Sequence, residues 1–80
     1  MMNDVSYIYL ECVPFSFVGK DGNTVNGYTN HILERVVRGN RVYYNLLRKW
    51  TNTPSAFKMG DSVFCLFGSD GKMIKFTSID

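Results

Sequence analysis

The residue types that carry most enzyme chemistry are scarce in this sequence and poorly spaced for it. His31 is the only histidine, so a general base would have no second imidazole and no partner set by spacing. Cys12 and Cys65 sit in the apolar runs VSYIYLECVPFSFV and SVFCLF, where a thiol packs as a small hydrophobe instead of ionising. They form no CxxC pair, which leaves zinc-ribbon and redox-motif readings without a basis. Asp61 and Asp70 adjoin Gly60 and Gly71, and aspartate in such turns bonds to nearby backbone amides. No helix opening with a Lys-Ser/Thr pair follows Gly19, Gly22 or Gly27, so no phosphate loop is formed. The expectation is a protein that is no enzyme and takes no metal, cofactor or small-molecule substrate.

Rings beside positive charge are what the chain does have. The formal charge is only +2, too weak to demand a nucleic-acid partner by itself. Its distribution is uneven: Arg35, Arg38, Arg41, Arg48 and Lys49 fall in a stretch with no acid, whereas Asp4, Glu11, Asp21 and Glu34 precede it against Lys20 alone. Tyr43, Tyr44 and Trp50 interleave with these cations, and Tyr28 follows the first turn. Cations neutralise phosphates without reading sequence, and each base has a face that stacks on a ring. A solvated strand face and a core filled with rings account for the same residues.

Those side chains must be positioned by strands. At 80 residues the chain has room for one core, read as a single domain over 1–80. From Val5 to Val18 the residues alternate, with Tyr7, Tyr9, Val13, Phe15 and Phe17 on one parity, and Pro14 argues for an edge or a bulge. Gly19-Lys20-Asp21-Gly22-Asn23 predicts a hairpin. The return segment 24–37 reads as strand, although Ile32, Leu33, Val36 and Val37 also fit a short helical stripe. Arg38-Gly39-Asn40 is a turn, and 42–50 reads as strand that could turn helical towards its end. Residues 51–61 form the longest loop, with room for one helical turn around 54–58. Ser62–Phe67 and Lys72–Ile79 flank Gly68-Ser69-Asp70-Gly71 as a second clear hairpin. Five strands with frequent turns predict an all-β fold, a small five-stranded barrel of the OB type.

Strands apolar on both faces are hard to cover in a chain this short, which predicts a homodimer. Met1–Val5 lacks a basic region followed by an apolar run, and no apolar stretch approaches a bilayer span, so the expected location is the cytoplasm with no membrane partner.

A long first strand, the polar turn GKDGN, the Gly27-Tyr28 pair opening the next strand, a basic middle and a closing hairpin resemble the single-stranded-DNA-binding proteins of filamentous and other small phages. The resemblance implies an OB-type barrel, commonly a symmetric dimer, that coats single strands without chemistry. It also implies that Lys20 contacts phosphate and that Tyr28 stacks. That family tends to carry several basic residues in the first hairpin, where this chain pairs Lys20 with Asp21, and weight therefore shifts to the cluster from Arg35 to Lys49. The nucleic-acid-binding set expected is Lys20, Tyr28, Arg35, Arg38, Arg41, Tyr43, Arg48 and Lys49, with single-stranded DNA or RNA as partner. The alternative is a small β-barrel protein-interaction module that binds no nucleic acid.

Overall fold

Alternation and glycine turns do organise the chain. A computed structural model describes residues 4–79; Met1, Met2, Asn3 and Asp80, included above in the single domain and in the reading of the N-terminus, lie outside the described residues. Strands β1 (Asp4–Val18), β2 (Thr24–Arg38), β3 (Arg41–Thr51), β4 (Ser62–Phe67) and β5 (Met73–Ser78) form one antiparallel sheet in the order β3-β2-β1-β4-β5. The described residues contain no helix, so none is long and apolar enough to cross a membrane.

Each turn has a chemical reason. In the first, Asp21 accepts from the Asn23 amide and from Asn23 Nδ2, both at 3.0 Å, while Gly22 takes a φ of 83°. In the second, Gly39 holds φ at 61° and Asn40 does not, the pattern of a two-residue II′ turn closing on the Arg38–Arg41 pair.

The expected helical turn at 54–58 is absent. The Phe57 amide donates to Ser55 Oγ (3.0 Å) and the Lys58 amide to Asp61 Oδ2 (2.8 Å), so side chains take donors that a helical turn would direct at carbonyls. The chain turns instead at Lys58–Asp61, where the Asp61 amide reaches the Lys58 carbonyl and Gly60 has a φ of 94°. The segment suggested to drift into helix before Thr51 stays extended.

The expected barrel does not close, because β3 and β5 are the two outer strands and do not pair. β1 and β2 run 15 residues each, β4 and β5 only 6, and a barrel needs strands of matched reach around its circumference. The sheet nevertheless curls about a small core. Tyr9, Ile32, Val63 and Cys65 are buried, with Leu47 from β3 and Met73 and Phe76 from β5 packed on the same cluster. Phe57, carried in by the long loop, lies 5.6 Å from the ring of Tyr9 and 5.8 Å from that of Phe76. One buried polar side chain sits among them: Asn30 accepts from the Tyr9 hydroxyl at 2.6 Å and donates to the Lys49 carbonyl and Thr51 Oγ1. Satisfied in this way, it ties β1, β2 and β3 together without the cost of an orphaned amide.

Candidate nucleic-acid interface

Cross-strand partners share a face, so the register assigns every strand residue to the inner, core-lining face or to the outer one. The register breaks between Tyr9 and Glu11, and Leu10 is the extra residue of a bulge. Before it the odd residues of β1 face the core; after it they face outward. Tyr7 and Tyr9 are therefore inner, opposite Glu34 and Ile32, while Val13, Phe15 and Phe17 are outer, opposite Thr29, Gly27 and Val25. The single ring-bearing parity expected for β1 is a pair of half-rows on opposite faces.

The outer face carries three neighbouring rings, Phe17, Phe15 and Trp50, and a fourth, Tyr44, further along β3. Phe15 and Phe17 stack with centroids 6.0 Å apart, and Phe15 lies 6.2 Å from Trp50. Beneath them is Gly27, where an added Cβ would fall within the indole of Trp50 and 2.9 Å from Phe15. Glycine in this strand is what lets the indole approach the backbone so closely. Trp50 and Phe17 remain 45% and 53% exposed. Along β3 the same face presents Arg48 and then Tyr44, which is 58% exposed and paired with Arg35 of β2. From Tyr44 to Phe17 the row spans roughly 33 Å, ten strand residues.

The expected site residues divide between the faces. Arg35 and Arg48 are on the outer face with Tyr44, Trp50, Phe15 and Phe17. Tyr28, Arg38, Arg41, Tyr43 and Lys49 are on the inner one. Arg38 and Arg41 flank the β2–β3 turn, and Tyr43 shares a hollow of about 220 Å³ with Val36, Arg38 and Asn45. Tyr28 is half-buried between Pro14 and Thr51, which makes it a poorer stacking platform than the exposed Trp50. Lys20 lies at the tip of the β1–β2 hairpin, the opposite end of β2 from Arg38. Its neighbour Asp21 is held below the usual carboxylate range by the Asn23 backbone and side-chain hydrogen bonds, so an anion stays beside Lys20.

Two participants went unrecognised in the sequence. Phe67 and Lys72 of the β4–β5 hairpin face β3 across a cleft of about 400 Å³ lined from the other side by Leu47, Arg48, Lys49 and Trp50. No local signal places them there, since the hairpin reaches β3 only through the curl of the sheet. The ring row left a trace: counting back from the Asp-Gly turn puts Gly27 opposite Phe15, and a strand glycine marks a close approach.

Among the described residues no cluster of His, Cys, Asp and Glu could hold a metal ion. Burial first, and Glu34 second, push the Cys65 thiol up to about 11, leaving it protonated and unreactive. Burial, then the hydrogen bond and charge of Glu34, push the Tyr7 phenol up to about 12. These perturbed groups belong to the packed inner face and assemble no acid–base pair.

Comparison with protein-family models, with curated proteins and with solved structures finds no match.

Proposed function

We propose that this chain binds single-stranded nucleic acid without chemistry, as a homodimer, in the manner of the small phage or mobile-element proteins that coat DNA strands. The curled five-stranded sheet is read as an OB-type barrel with its seam left open between β3 and β5. One observation carries the proposal: the exposed rings Tyr44, Trp50 and Phe17, with half-buried Phe15 between the last two, share the outer face with Arg35 and Arg48. Bases stack on the rings while the guanidinium groups meet the phosphates, a division of labour that tolerates any sequence. Lys49 and Lys72 line the cleft between β3 and the β4–β5 hairpin and add to the positive potential there. A second reading, a protein-interaction module, is favoured by Phe64, Leu66 and Ile74, which are exposed on the β4–β5 hairpin.

Titration of a labelled single-stranded oligonucleotide, followed by fluorescence anisotropy at two salt concentrations, tests the reading. Arg48→Ala should weaken binding for all sequences alike and lower the salt slope by about 0.7 for the lost phosphate contact. Trp50→Ala should cost about 1–3 kcal/mol with little change in slope, because stacking releases few counterions. No salt-sensitive binding by the unaltered protein in low salt would remove the nucleic-acid reading and leave the interaction module.

A further inference from the structure

A free sheet edge is a template for pairing with another chain, and proteins that keep an edge free protect it with bulges, prolines, charged side chains or short strands. Two edges here are protected in this way. β5 is 6 residues long and carries an extra residue, Ile74, at the break in its register with β4. β1, where it runs past β4, carries the Leu10 bulge and Pro14. The edge of β3 has no bulge, no proline and no shortening, and of the protective devices it carries only the cations Arg41, Arg48 and Lys49. Its 11 residues pair with β2 in unbroken register, contain no proline, and leave Val42, Tyr44, Leu46 and Trp50 exposed.

We propose that this edge pairs antiparallel with β3 of a second copy about a two-fold axis through Leu46, joining two sheets into one of ten strands. The proposal deepens the dimeric unit assumed above by naming its interface, and it does not depend on nucleic acid. Two observations select the occupant and the register. The first is backbone direction. The two-residue turn closes on a hydrogen-bonded Arg38–Arg41 pair, so alternation leaves the N–H and C=O of Val42, Tyr44, Leu46, Arg48 and Trp50 pointing away from β2. About Leu46 these outward groups meet outward groups all along the strand.

The second is charge. Centred on Leu46, all 11 residues of β3 find a partner. Tyr44 lies opposite Arg48 of the second copy, Tyr43 opposite its Lys49, and Val42 opposite its Trp50. Every cation on the strand except Arg41, which meets Thr51, faces a ring, a pairing that is favourable both ways across the two-fold axis. Sliding the register by two residues in one direction sets Arg41 against Lys49 of the other copy; sliding it the other way leaves Arg41 and Val42 unpaired. Pairing also places both outer-face ring rows on the same side of the joined sheet.

Sedimentation velocity without nucleic acid, on the full chain and two variants at one exposed position, tests the interface. Tyr44→Lys sets a cation opposite Arg48 twice per dimer and should weaken the dimer roughly 10-fold, whereas Tyr44→Glu should hold or tighten it. A monomeric unaltered protein at micromolar concentration, or equal dimer affinity for both variants, would overturn the proposal. Leu46→Cys in a Cys12→Ser background should form a disulfide-linked dimer under mild oxidation, because paired Cα atoms lie about 5.5 Å apart. Val42→Cys in the same background, with its copies roughly 26 Å apart, should not. Cross-linking at Val42 and not at Leu46 would place the contact elsewhere. Oligonucleotide binding by either charge variant bears only on the function proposed above, so the two readings fail separately.

Discussion

The inner and outer faces of the sheet are built from the same strands and nearly the same residue types, yet they use their rings in opposite ways. Tyr7, Tyr9, Phe57, Phe67 and Phe76 turn towards one another around Ile32, Val63 and Cys65, with centroid spacings of 5.6–5.8 Å. Phe15, Phe17 and Trp50 form a ladder on the other face, with Phe17 and Trp50 exposed among the described residues. A ring is thus no indicator of core or site by itself. What separates the two uses is the long loop, which brings Phe57 over the inner face and has no counterpart on the outer one. A single-layer sheet this small completes one core and leaves rings exposed on its second face.

Removing volume from each face should have unequal consequences. Ile32→Ala, at a position with 0% exposure, should cost about 2–5 kcal/mol of stability in urea denaturation. Phe17→Ala should move it by no more than about 0.5 kcal/mol. Equal losses would mean that the outer rings are structural.

A smaller effect is expected at Gly27, beneath the outer rings. Gly27→Ala forces the indole and Phe15 to shift, at a cost of about 1–3 kcal/mol for overpacking. Because Trp50 is the only tryptophan, its emission reports the displacement directly, and oligonucleotide affinity should fall with it. Unchanged emission would show that the indole does not rest on this glycine.

The smallest effect is a pH dependence confined to the inner face. Tyr7 is raised above its ordinary value by burial and by Glu34, so its neutral form is favoured in the folded state. The resulting stability is fully present below pH about 10 and is lost as pH rises through about 12. Tyr7→Phe should flatten the loss of stability over that window in denaturation series, and an unchanged slope would locate the alkaline sensitivity at another group, such as Cys65.

Much of the fold was legible because turn chemistry is local. Asp21-Gly22, Gly39-Asn40 and Asp70-Gly71 mark the three hairpins, and alternation marks the strands between them. Less of the site was legible. Arg35 and Arg48 do join exposed rings, but Arg38, Arg41, Tyr43, Tyr28 and Lys49 lie on the other face and Lys20 at a distant tip. Clustering along a strand says nothing about which face a residue takes until the register is known, and a one-residue slip reverses it.

By itself the sequence determined an all-β chain with hairpins in these places and a basic and aromatic β3. Only the tertiary structure decided the rest, and Leu10 shows why. The Tyr9 amide donates to the Asp61 carbonyl and the Gly60 amide donates to the Tyr9 carbonyl, each at 2.8 Å, so the turn before β4 fixes Tyr9 facing the core just before the bulge at Leu10. Those partners lie some fifty residues away in the chain, beyond the reach of any local pattern. One extra residue at that point sends Phe15 and Phe17 outward to Trp50, and so decides which face of the sheet carries the ring ladder.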